Sequence, residues 1–339
     1  MTTGHNPSSS HVSSVDLGDA DLNERIAVGM DEVEKLLRHE LANGEEFVRD
    51  KVLHLAEAGG KRFRPMMALL ASEFGERPGC GDVIKAGTVV EIVHLATLYH
   101  DDVMDEAERR RGVESANQRW SNSVAILAGD VLLAHASRVM GQLDTRTITH
   151  FAETFEKLVT GQMREALGSR DRTGAVDHYM KVIEEKTGVL IASACFLGAL
   201  HSGASEERID ALYKLGGIIG VVFQIVDDMI DIYSDPDDSG KTPGTDLREG
   251  VFTLPVLLAM EEDSDVGREL TGMLTGPLTD EADVERALRL LEESSGRQRT
   301  LEVVREYLAR ADEQFDRLPQ IPATMALRQL GEFTVSRVG

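Results

Sequence analysis

Residues 206–233 read EERIDALYKLGGIIGVVFQIVDDMIDIY, and their pattern indicates a long, buried α-helix. Apolar side chains recur at the three- and four-residue spacing of a helix, and the stretch from Ile218 to Ile232 is almost wholly apolar apart from its acidic residues. Those residues are Asp227, Asp228 and Asp231. Because an unpaired charge in a protein interior is costly, carboxylates in so apolar a helix predict a functional site.

The rest of the chain predicts an all-α protein. From Asp21 onward apolar residues keep helical spacing, period-two alternation is scarce, and long helices are predicted over 82–108, 122–143, 148–167 and 176–201. The Pro-, Gly- and Asp-rich residues 235–250 predict a loop. Residues 1–20 are rich in Ser and lack the apolar segment of a signal peptide, so they predict a disordered tail. Residues 21–339 predict one domain.

The composition excludes several classes of protein. A formal net charge of -23 argues against nucleic-acid binding and against adhesion to anionic membranes. The cysteines, Cys80 and Cys195, have no spacing typical of a metal site or disulfide framework, which fits a reducing compartment. The apolar stretch 188–200 is too short to span a bilayer. We therefore expect a cytoplasmic protein without a transmembrane segment.

The acidic cluster of the 206–233 helix has a counterpart upstream. Residues 100–105 read HDDVMD and residues 223–231 read FQIVDDMID, with the same aspartate spacing. Asp101 and Asp105 lie one helical turn apart, where their charges repel each other and oppose the helix dipole. Each cluster alone is open to interpretation as an acidic solvent face, but the repeat on two apolar helices favours a cation site. Carboxylates without His or Cys ligands predict Mg²⁺.

Basic residues next to the acidic clusters predict an anionic substrate. Arg109, Arg110 and Arg111 follow the first cluster, GGKRFRP occupies 59–65, and Lys–Thr pairs occur at 186–187 and 241–242. Arg binds phosphate oxygens bidentately and Lys adds a point charge. Salt bridging to neighbouring carboxylates is the alternative interpretation, notably for Arg62 and Arg109. Walker A spacing is absent. Mg²⁺ ligands together with phosphate-binding cations predict a diphosphate substrate.

Taken in order along the chain, these motifs resemble the trans-isoprenyl diphosphate synthases, or polyprenyl synthetases. The resemblance runs from about Asp21 to near the C-terminus and rests on GGKRFRP, EIVH at 91–94, HDDVMD with RRRG, KTG at 186–188, FQIVDDMID and GKTPGTDLREGVFTLP at 240–255. It implies the isoprenoid synthase fold, a bundle of long helices around a central cavity, usually as a homodimer. It implies a Mg²⁺-dependent transferase that condenses isopentenyl diphosphate with an allylic diphosphate.

The resemblance also implies roles for individual residues. The metal sets are Asp101, Asp102, Asp105 and Asp227, Asp228, Asp231. The isopentenyl diphosphate site is Lys61, Arg64, His94, Arg111. The groups that hold the allylic diphosphate are Arg110, Lys186, Thr187, Gln224, Lys241. Arg109 has no counterpart in the family's usual two-arginine motif and stays unassigned.

Small residues upstream of the first cluster predict a long product. Ala96 and Thr97 precede Asp101 by about one turn, where short-chain members of the family tend to place Phe or Tyr as a floor. With the floor open, Val93 or Met140 would set the limit, and the product would fall in the heptaprenyl to decaprenyl range. Alternatively, Ala96 only allows close helix packing.

Other functions stay open at this point. Within the same class of enzyme, the nearest alternative is a short-chain synthase making geranylgeranyl or farnesyl diphosphate. A non-catalytic partner subunit of a synthase would typically lose an aspartate cluster, and here both are intact. A terpene cyclase normally replaces the second cluster, which the repeated triplet at 227–231 argues against.

Overall fold

A computed structural model describes residues 16–169, 174–234 and 242–337. The chain is folded from Asp16: Leu17 is buried, and the Asp19 carboxylate accepts a hydrogen bond from the backbone N–H of Leu22 and so caps the first helix. The predicted tail boundary at residue 20 is therefore a few residues too late. Residues 1–15 of that predicted tail lie outside the described residues.

The described chain is built almost entirely of helices. In chain order the elements are α1 Ala20–Leu41, α2 Glu46–Glu57, α3 Phe63–Ser72, α4 Gly81–Met104, β1 Arg109–Arg110, β2 Val113–Glu114, α5 Ala116–Arg119, α6 Asn122–Met140, α7 Thr145–Leu167, α8 Ala175–Ile183, a π-helix Glu184–Gly188, α9 Val189–Ser202, α10 Glu206–Tyr233, α11 Thr245–Glu249, α12 Leu254–Met260, α13 Asp265–Met273, α14 Glu281–Glu293, α15 Gly296–Phe315 and α16 Pro322–Ser336. The predicted helix over 206–233 has these bounds in the structure.

Two predicted elements need correction. The helix predicted over 82–108 ends at Met104 because Asp105 is its C-cap and Glu106 adopts a left-handed φ of 51°. The chain then forms an antiparallel hairpin in which Arg109 pairs with Glu114 and Arg110 with Val113. Strands of two residues are too short to show alternation, so the sequence pattern missed them.

The predicted loop over 235–250 is also partly wrong. Residues 245–249 form the short helix α11, between Gly244 and Gly250, which both adopt a left-handed φ. Residues 235–241 lie outside the described residues.

Helix packing divides the chain into two compact units, and the predicted single domain stays a prediction. The first unit contains the described residues from Asp16 to Ile148 together with Leu197–Ala204. Its core forms around α4, which packs against α1, α3 and α6 and buries Ile92, Leu95 and Tyr99 completely.

The second unit contains the described residues within Thr149–Phe196 and those from Ser205 to Arg337. Its central helix is α10, which packs against the π-helix, α12, α15 and α16. The apolar residues Ile225, Val226 and Met229 are fully buried there, as the pattern of 206–233 predicts. This buried helix carries the second acidic cluster.

Two helices in the described part of the chain are long and apolar enough to cross a membrane by length and composition alone. They are α6 and α10, whose most apolar windows have mean hydropathies of 1.4 and 1.6. Core helices pass the same test, and about two thirds of the α10 window is buried inside the fold (67%). The absence of a transmembrane segment stays a prediction.

Candidate active site

The first acidic cluster lies at the end of α4. Asp101 is half-buried, Asp102 is fully buried, and Asp105 is exposed at the helix C-cap. The backbone N–H of Asp105 donates to the carbonyl oxygen of Asp101 at 2.8 Å, so the cluster stays within one helical turn. Burial raises the pKa of the Asp102 carboxyl, the charge of Asp105 raises it further, and Arg110 opposes both.

The hairpin after α4 directs its arginines to different partners. Arg110 donates from Nε to Asp102 Oδ1 at 2.6 Å. Arg111 adopts a left-handed φ of 52° and donates from Nη1 to the carbonyl oxygen of Leu55 at 3.0 Å. Arg109, which the family motif left unassigned, donates to the carbonyl oxygen of Gly112 at 2.5 Å and braces the turn. Among the three, Arg110 is therefore the arginine that contacts the first cluster.

Further cations surround Glu91 on α4. Burial lowers the pKa of Arg64 to about 10, and the charge of Arg111 adds to the effect while Glu91 opposes it. The buried Nε of Arg64 has no hydrogen-bond partner within the described ranges. Burial and the neighbouring Arg64 and Arg111 charges also lower the pKa of His94 well below its usual value, which keeps the imidazole neutral.

Three of the residues predicted to bind isopentenyl diphosphate, Arg64, His94 and Arg111, are thus brought together. Lys61, the fourth, is exposed on the loop before α3. Arg62 plays a structural part instead, since its guanidinium pairs with Glu91 at 2.9 Å and with Glu34 at 3.0 Å. The salt-bridge interpretation of Arg62 is confirmed.

The predicted chain-length residues lie on α4 before the first cluster. Ala96 is fully buried, and Thr97 is half-buried with its hydroxyl donating to the carbonyl oxygen of His94 at 2.9 Å. The proposed deeper limits, Val93 on α4 and Met140 on α6, are also buried. Control of product length by this layer stays a prediction.

The second acidic cluster belongs to a connected hydrogen-bond network. The Thr187 hydroxyl donates to Gln224 Oε1 at 3.1 Å, and Gln224 Nε2 donates to Asp228 Oδ1 at 2.8 Å. The Tyr179 hydroxyl donates to Asp228 Oδ2. Both oxygens of Asp228 are therefore held in fixed directions by neutral donors.

The electrostatics of this cluster differ from those of an exposed acidic patch. Burial raises the pKa of Asp228 to about 7, and the charges of Asp227 and Asp231 raise it further. The hydrogen bonds from Tyr179 and Gln224 oppose that rise. The prediction that the second cluster is buried is confirmed for Asp228 and Asp231, whereas Asp227 is half-buried.

Asp231 also anchors the segment that follows α10. One of its carboxylate oxygens accepts from the backbone N–H of Asp246 at 3.2 Å, and its carbonyl oxygen accepts from the N–H of Gly244 at 2.8 Å. This places the end of the GKTPGTD motif beside the second cluster. Lys241, predicted to hold the allylic diphosphate, lies outside the described residues.

Lys186 and Thr187 lie in the π-helix between α8 and α9. The helix predicted over 176–201 is continuous in the structure but contains this wider turn. Lys186 Nζ donates to a carboxylate oxygen of Glu165 on α7. Single π-helical turns inside α-helices often occur at functional sites, and this one carries both predicted substrate ligands of the motif.

Both clusters fit a hard divalent cation. Their ligands are carboxylate oxygens, and the buried Oδ2 of Asp102 has no hydrogen-bond partner in the part of the chain that the structure describes. Within those residues, no group of three or more His, Cys, Asp or Glu side chains is arranged so that it could hold a metal ion by itself. Open carboxylate sites suit Mg²⁺, which completes its coordination with water and substrate phosphates.

Three residues of the site were not predicted from the sequence as site residues. Tyr179 contacts a partner 49 positions away, and Glu165 a partner 21 positions away, so no local spacing connects either pair. Glu91 stands in the EIVH motif, but its pairing with buried arginines is visible only in the fold.

Known proteins match the chain over most of its length. The sequence model of the polyprenyl synthetase family matches residues 45–291, well over half of the chain. The chain is 48% identical over 328 residues to nonaprenyl diphosphate synthase from Mycobacterium tuberculosis, which covers 97% of this chain and 98% of the relative.

Solved structures of similar proteins share the fold. Geranylgeranyl pyrophosphate synthase from Corynebacterium glutamicum, complexed with calcium and isoprenyl diphosphate, is 60% identical with a TM-score of 0.89, covering 96% of this chain and 100% of that one. A decaprenyl diphosphate synthase from Rhodobacter capsulatus is 30% identical with a TM-score of 0.85, covering 94% and 99%. These matches confirm the predicted all-α isoprenoid synthase fold, and the chain belongs to the polyprenyl synthetase family.

Proposed function

We propose that this chain is a Mg²⁺-dependent prenyltransferase that adds isopentenyl diphosphate units to an allylic diphosphate. The observation that carries the proposal is a pair of buried carboxylates. Asp102 and Asp228 hold the same place in the two aspartate motifs, and their exposed fractions are 0% and 6%. A protein retains buried carboxylates of this kind where a cation offsets their charge.

Mg²⁺ is bound by the two aspartate sets. Asp101, Asp102 and Asp105 form one set, and 227–231 contributes Asp227, Asp228 and Asp231 to the other. These carboxylates would hold the metal, which would supply positive charge beside the diphosphate and help to offset the charge that develops on the departing pyrophosphate. The calcium and isoprenyl diphosphate bound by the Corynebacterium relative support a divalent cation and a prenyl diphosphate here.

Isopentenyl diphosphate is bound by the cations around Glu91. Arg64 and Arg111 are neighbouring cations that share the single negative charge of Glu91. Among the described residues, Arg64 Nε has no hydrogen-bond partner and is available to a phosphate oxygen. His94 is neutral, so it contributes a hydrogen bond rather than a charge. Lys61, exposed before α3, supplies a further cation.

The allylic diphosphate is held by Arg110, Lys186, Thr187 and Gln224, with Lys241 as a further predicted ligand. Its carbon–oxygen bond breaks, the double bond of isopentenyl diphosphate attacks the resulting allylic cation, and a proton is lost to restore a double bond. The protein contributes positioning, electrostatic stabilisation and exclusion of water. Pyrophosphate leaves with the electron pair of the broken bond and is the base that we propose for the proton.

The product is a long-chain polyprenyl diphosphate in the heptaprenyl to decaprenyl range. The small residues Ala96 and Thr97 support this length, and so do the names of the nonaprenyl and decaprenyl synthases among the relatives. The geranylgeranyl synthase from Corynebacterium favours the shorter alternative. A non-catalytic subunit is the less favoured reading because both aspartate sets are complete.

The site proposal is tested by substitutions at the first residue of each aspartate set. Asp101→Asn and Asp227→Asn should each lower Mg²⁺-dependent pyrophosphate release by about 100-fold or more, because each removes a ligand charge. Asp82→Asn on α4 and Asp210→Asn on α10 are matched controls, since the first is half-buried and pairs with Lys85, and the second pairs with Lys214 and Arg317. Equal activity in all four variants would exclude the proposed metal sites.

We also propose a homodimer in the cytoplasm. The exposed apolar side chains Val159, Met163 and Leu167 repeat every four residues on α7 and support an apolar interface.

Both cysteines are free, and burial raises the pKa of the Cys195 thiol to about 12. Unpaired thiols and the strong negative charge support a reducing compartment and a protein that binds neither nucleic acid nor anionic lipid.

A further inference from the structure

Three helical glycines lie within or against the π-helix that carries Lys186 and Thr187. Gly161 lies on α7, Gly188 ends the π-helix, and Gly220 lies on α10. Glycine within a helix is less favourable than alanine because its backbone loses more conformational freedom on folding. Glycines at these positions therefore indicate a packing need that a methyl group would violate.

Gly161 allows α7 to approach the backbone of the π-helix. A Cβ atom at Gly161 would lie 2.7 Å from Cβ of Glu185 and 2.8 Å from the backbone nitrogen of Lys186. Both distances are shorter than two non-bonded heavy atoms in a protein tolerate, and the second is to a main-chain atom. A side chain at position 161 would displace the backbone of Lys186 itself.

Gly220 makes the corresponding approach from α10. A Cβ atom there would lie 2.8 Å from Cα of Gly188 and 3.2 Å from Cδ1 of Ile191. Gly188 follows Thr187 directly, so a side chain at position 220 would displace the backbone next to that hydroxyl. The π-helix is thus in close contact with α7 and with α10 through glycines.

The side chains of the π-helix bond to the same two helices. Lys186 donates to Glu165 on α7, one turn after Gly161. Thr187 donates at 3.1 Å to Gln224 on α10, one turn after Gly220. Each predicted ligand of the allylic diphosphate is therefore fixed by a side-chain bond and by a glycine contact to the same helix.

We infer that Gly161 and Gly220 are positioning residues of the allylic diphosphate site, setting the distance from which Lys186 and Thr187 reach the substrate. The inference rests on the proposed function. Displacement of a substrate-binding group by about 1 Å can cost about 100-fold in rate, so a small backbone shift is sufficient for a large effect.

Alanine substitutions separate positioning from general stability. Gly161→Ala and Gly220→Ala should raise KM for the allylic diphosphate about 10-fold or more, while KM for isopentenyl diphosphate changes less than about 2-fold. Gly217→Ala is the matched control on α10, because its Cβ would lie at an ordinary 3.7 Å from Cβ of Ala192. Equal rises in both KM values would overturn the inference, since a general loss of structure affects both substrates.

A double substitution tests whether Gly161 acts through Lys186. In a Lys186→Ala background, Gly161→Ala should cause little further change in KM for the allylic diphosphate, because the group that it positions is gone. Additive losses would contradict the inference. If Gly161→Ala shows no cooperative thermal transition, Gly220→Ala tested in a Thr187→Val background gives the same decision from the other helix.

The outcomes distinguish this inference from the proposed function. A wild-type chain that turns over no allylic diphosphate overturns the proposed function together with the inference. A wild-type chain that is active, with Gly161→Ala and Gly220→Ala matching Gly217→Ala in every constant, overturns only the inference.

Discussion

At the scale of single residues, Tyr179 is the side chain that orients the buried carboxyl of Asp228. Its hydroxyl donates to Asp228 and is buried with it. Hydrogen bonds to charged groups contribute about 1.5–3 kcal/mol. We expect Tyr179→Phe to lower kcat/KM by about 10-fold or more, because one oxygen of Asp228 loses its fixed direction.

The measurement is steady-state kinetics at several Mg²⁺ concentrations, with Tyr307→Phe as control. Tyr307 lies on α15, where Arg310 stacks on its ring at 4.5 Å, and its hydroxyl has no part in the proposed chemistry. Activity of Tyr179→Phe equal to that of Tyr307→Phe would contradict the positioning role of the hydroxyl.

The raised pKa of Asp228 predicts how the stability of the metal-free protein changes with pH. Its pKa rises from 3.8 to about 7 on folding, so the folded protein keeps a proton that the unfolded chain releases between those values. Stability of the metal-free protein from this group is therefore full below about pH 4 and is lost as pH rises through about 7.

Thermal unfolding in EDTA tests that sign. The melting temperature of the wild type should fall between about pH 5.5 and pH 8, and Asp228→Asn should reduce the fall because its amide does not titrate. Added Mg²⁺ should oppose the fall at pH 8, since it binds the ionised carboxylate. Identical pH profiles for wild type and variant would contradict the buried, protonated carboxyl.

The sequence predicted the aspartates but not all of their partners. Asp227, Asp228 and Asp231 stand out because they interrupt an apolar helix, which is a local signal. Tyr179 and Glu165 carry no local signal, because each becomes a partner only when separate helices pack together. Residue types with a chemical role are predictable from sequence, whereas the groups that orient them depend on tertiary contacts.

At the scale of elements, long helices were predicted well and their interruptions were not. The 206–233 helix was predictable because a strong apolar pattern runs to both ends, where Ser205 caps it and Ser234 leaves helical geometry. The π-helix at Glu184–Gly188 was not, because one extra residue in a turn leaves an apolar pattern almost unchanged. The hairpin at 109–114 was too short to show a period.

The helix α4 gives a prediction about product length. Ala96 is fully buried one turn before the first cluster, and a larger side chain there would close the proposed floor. Ala96→Phe should shift the main product from heptaprenyl or longer to geranylgeranyl or shorter. Chromatographic sizing of the products checks this.

A control distinguishes a shortened product caused by a blocked cavity from one caused by a destabilised α4 helix. Thr97→Val keeps a small side chain at the neighbouring position, so product length should not change. Thermal unfolding of Ala96→Phe shows whether the variant is still folded. A folded Ala96→Phe variant with wild-type product length would refute the floor argument.

At the scale of the whole molecule, the proposed homodimer predicts a molar mass of twice the chain mass. Met163→Glu places a charge in the exposed apolar row of α7 and should weaken the dimer. Val28→Glu on α1 is the matched control, because Val28 and Met163 are equally exposed, both at 60%. Light scattering with size-exclusion chromatography measures the mass, and a wild-type monomer at every concentration would contradict the proposal.

The most direct test of the central claim is the size of the product that the purified chain makes. The protein is incubated with Mg²⁺, farnesyl diphosphate and labelled isopentenyl diphosphate, and the labelled products are sized. We predict Mg²⁺-dependent products of heptaprenyl length or longer. A stop at geranylgeranyl diphosphate would contradict the long product, and no elongation from primers of any length would contradict the proposed enzyme.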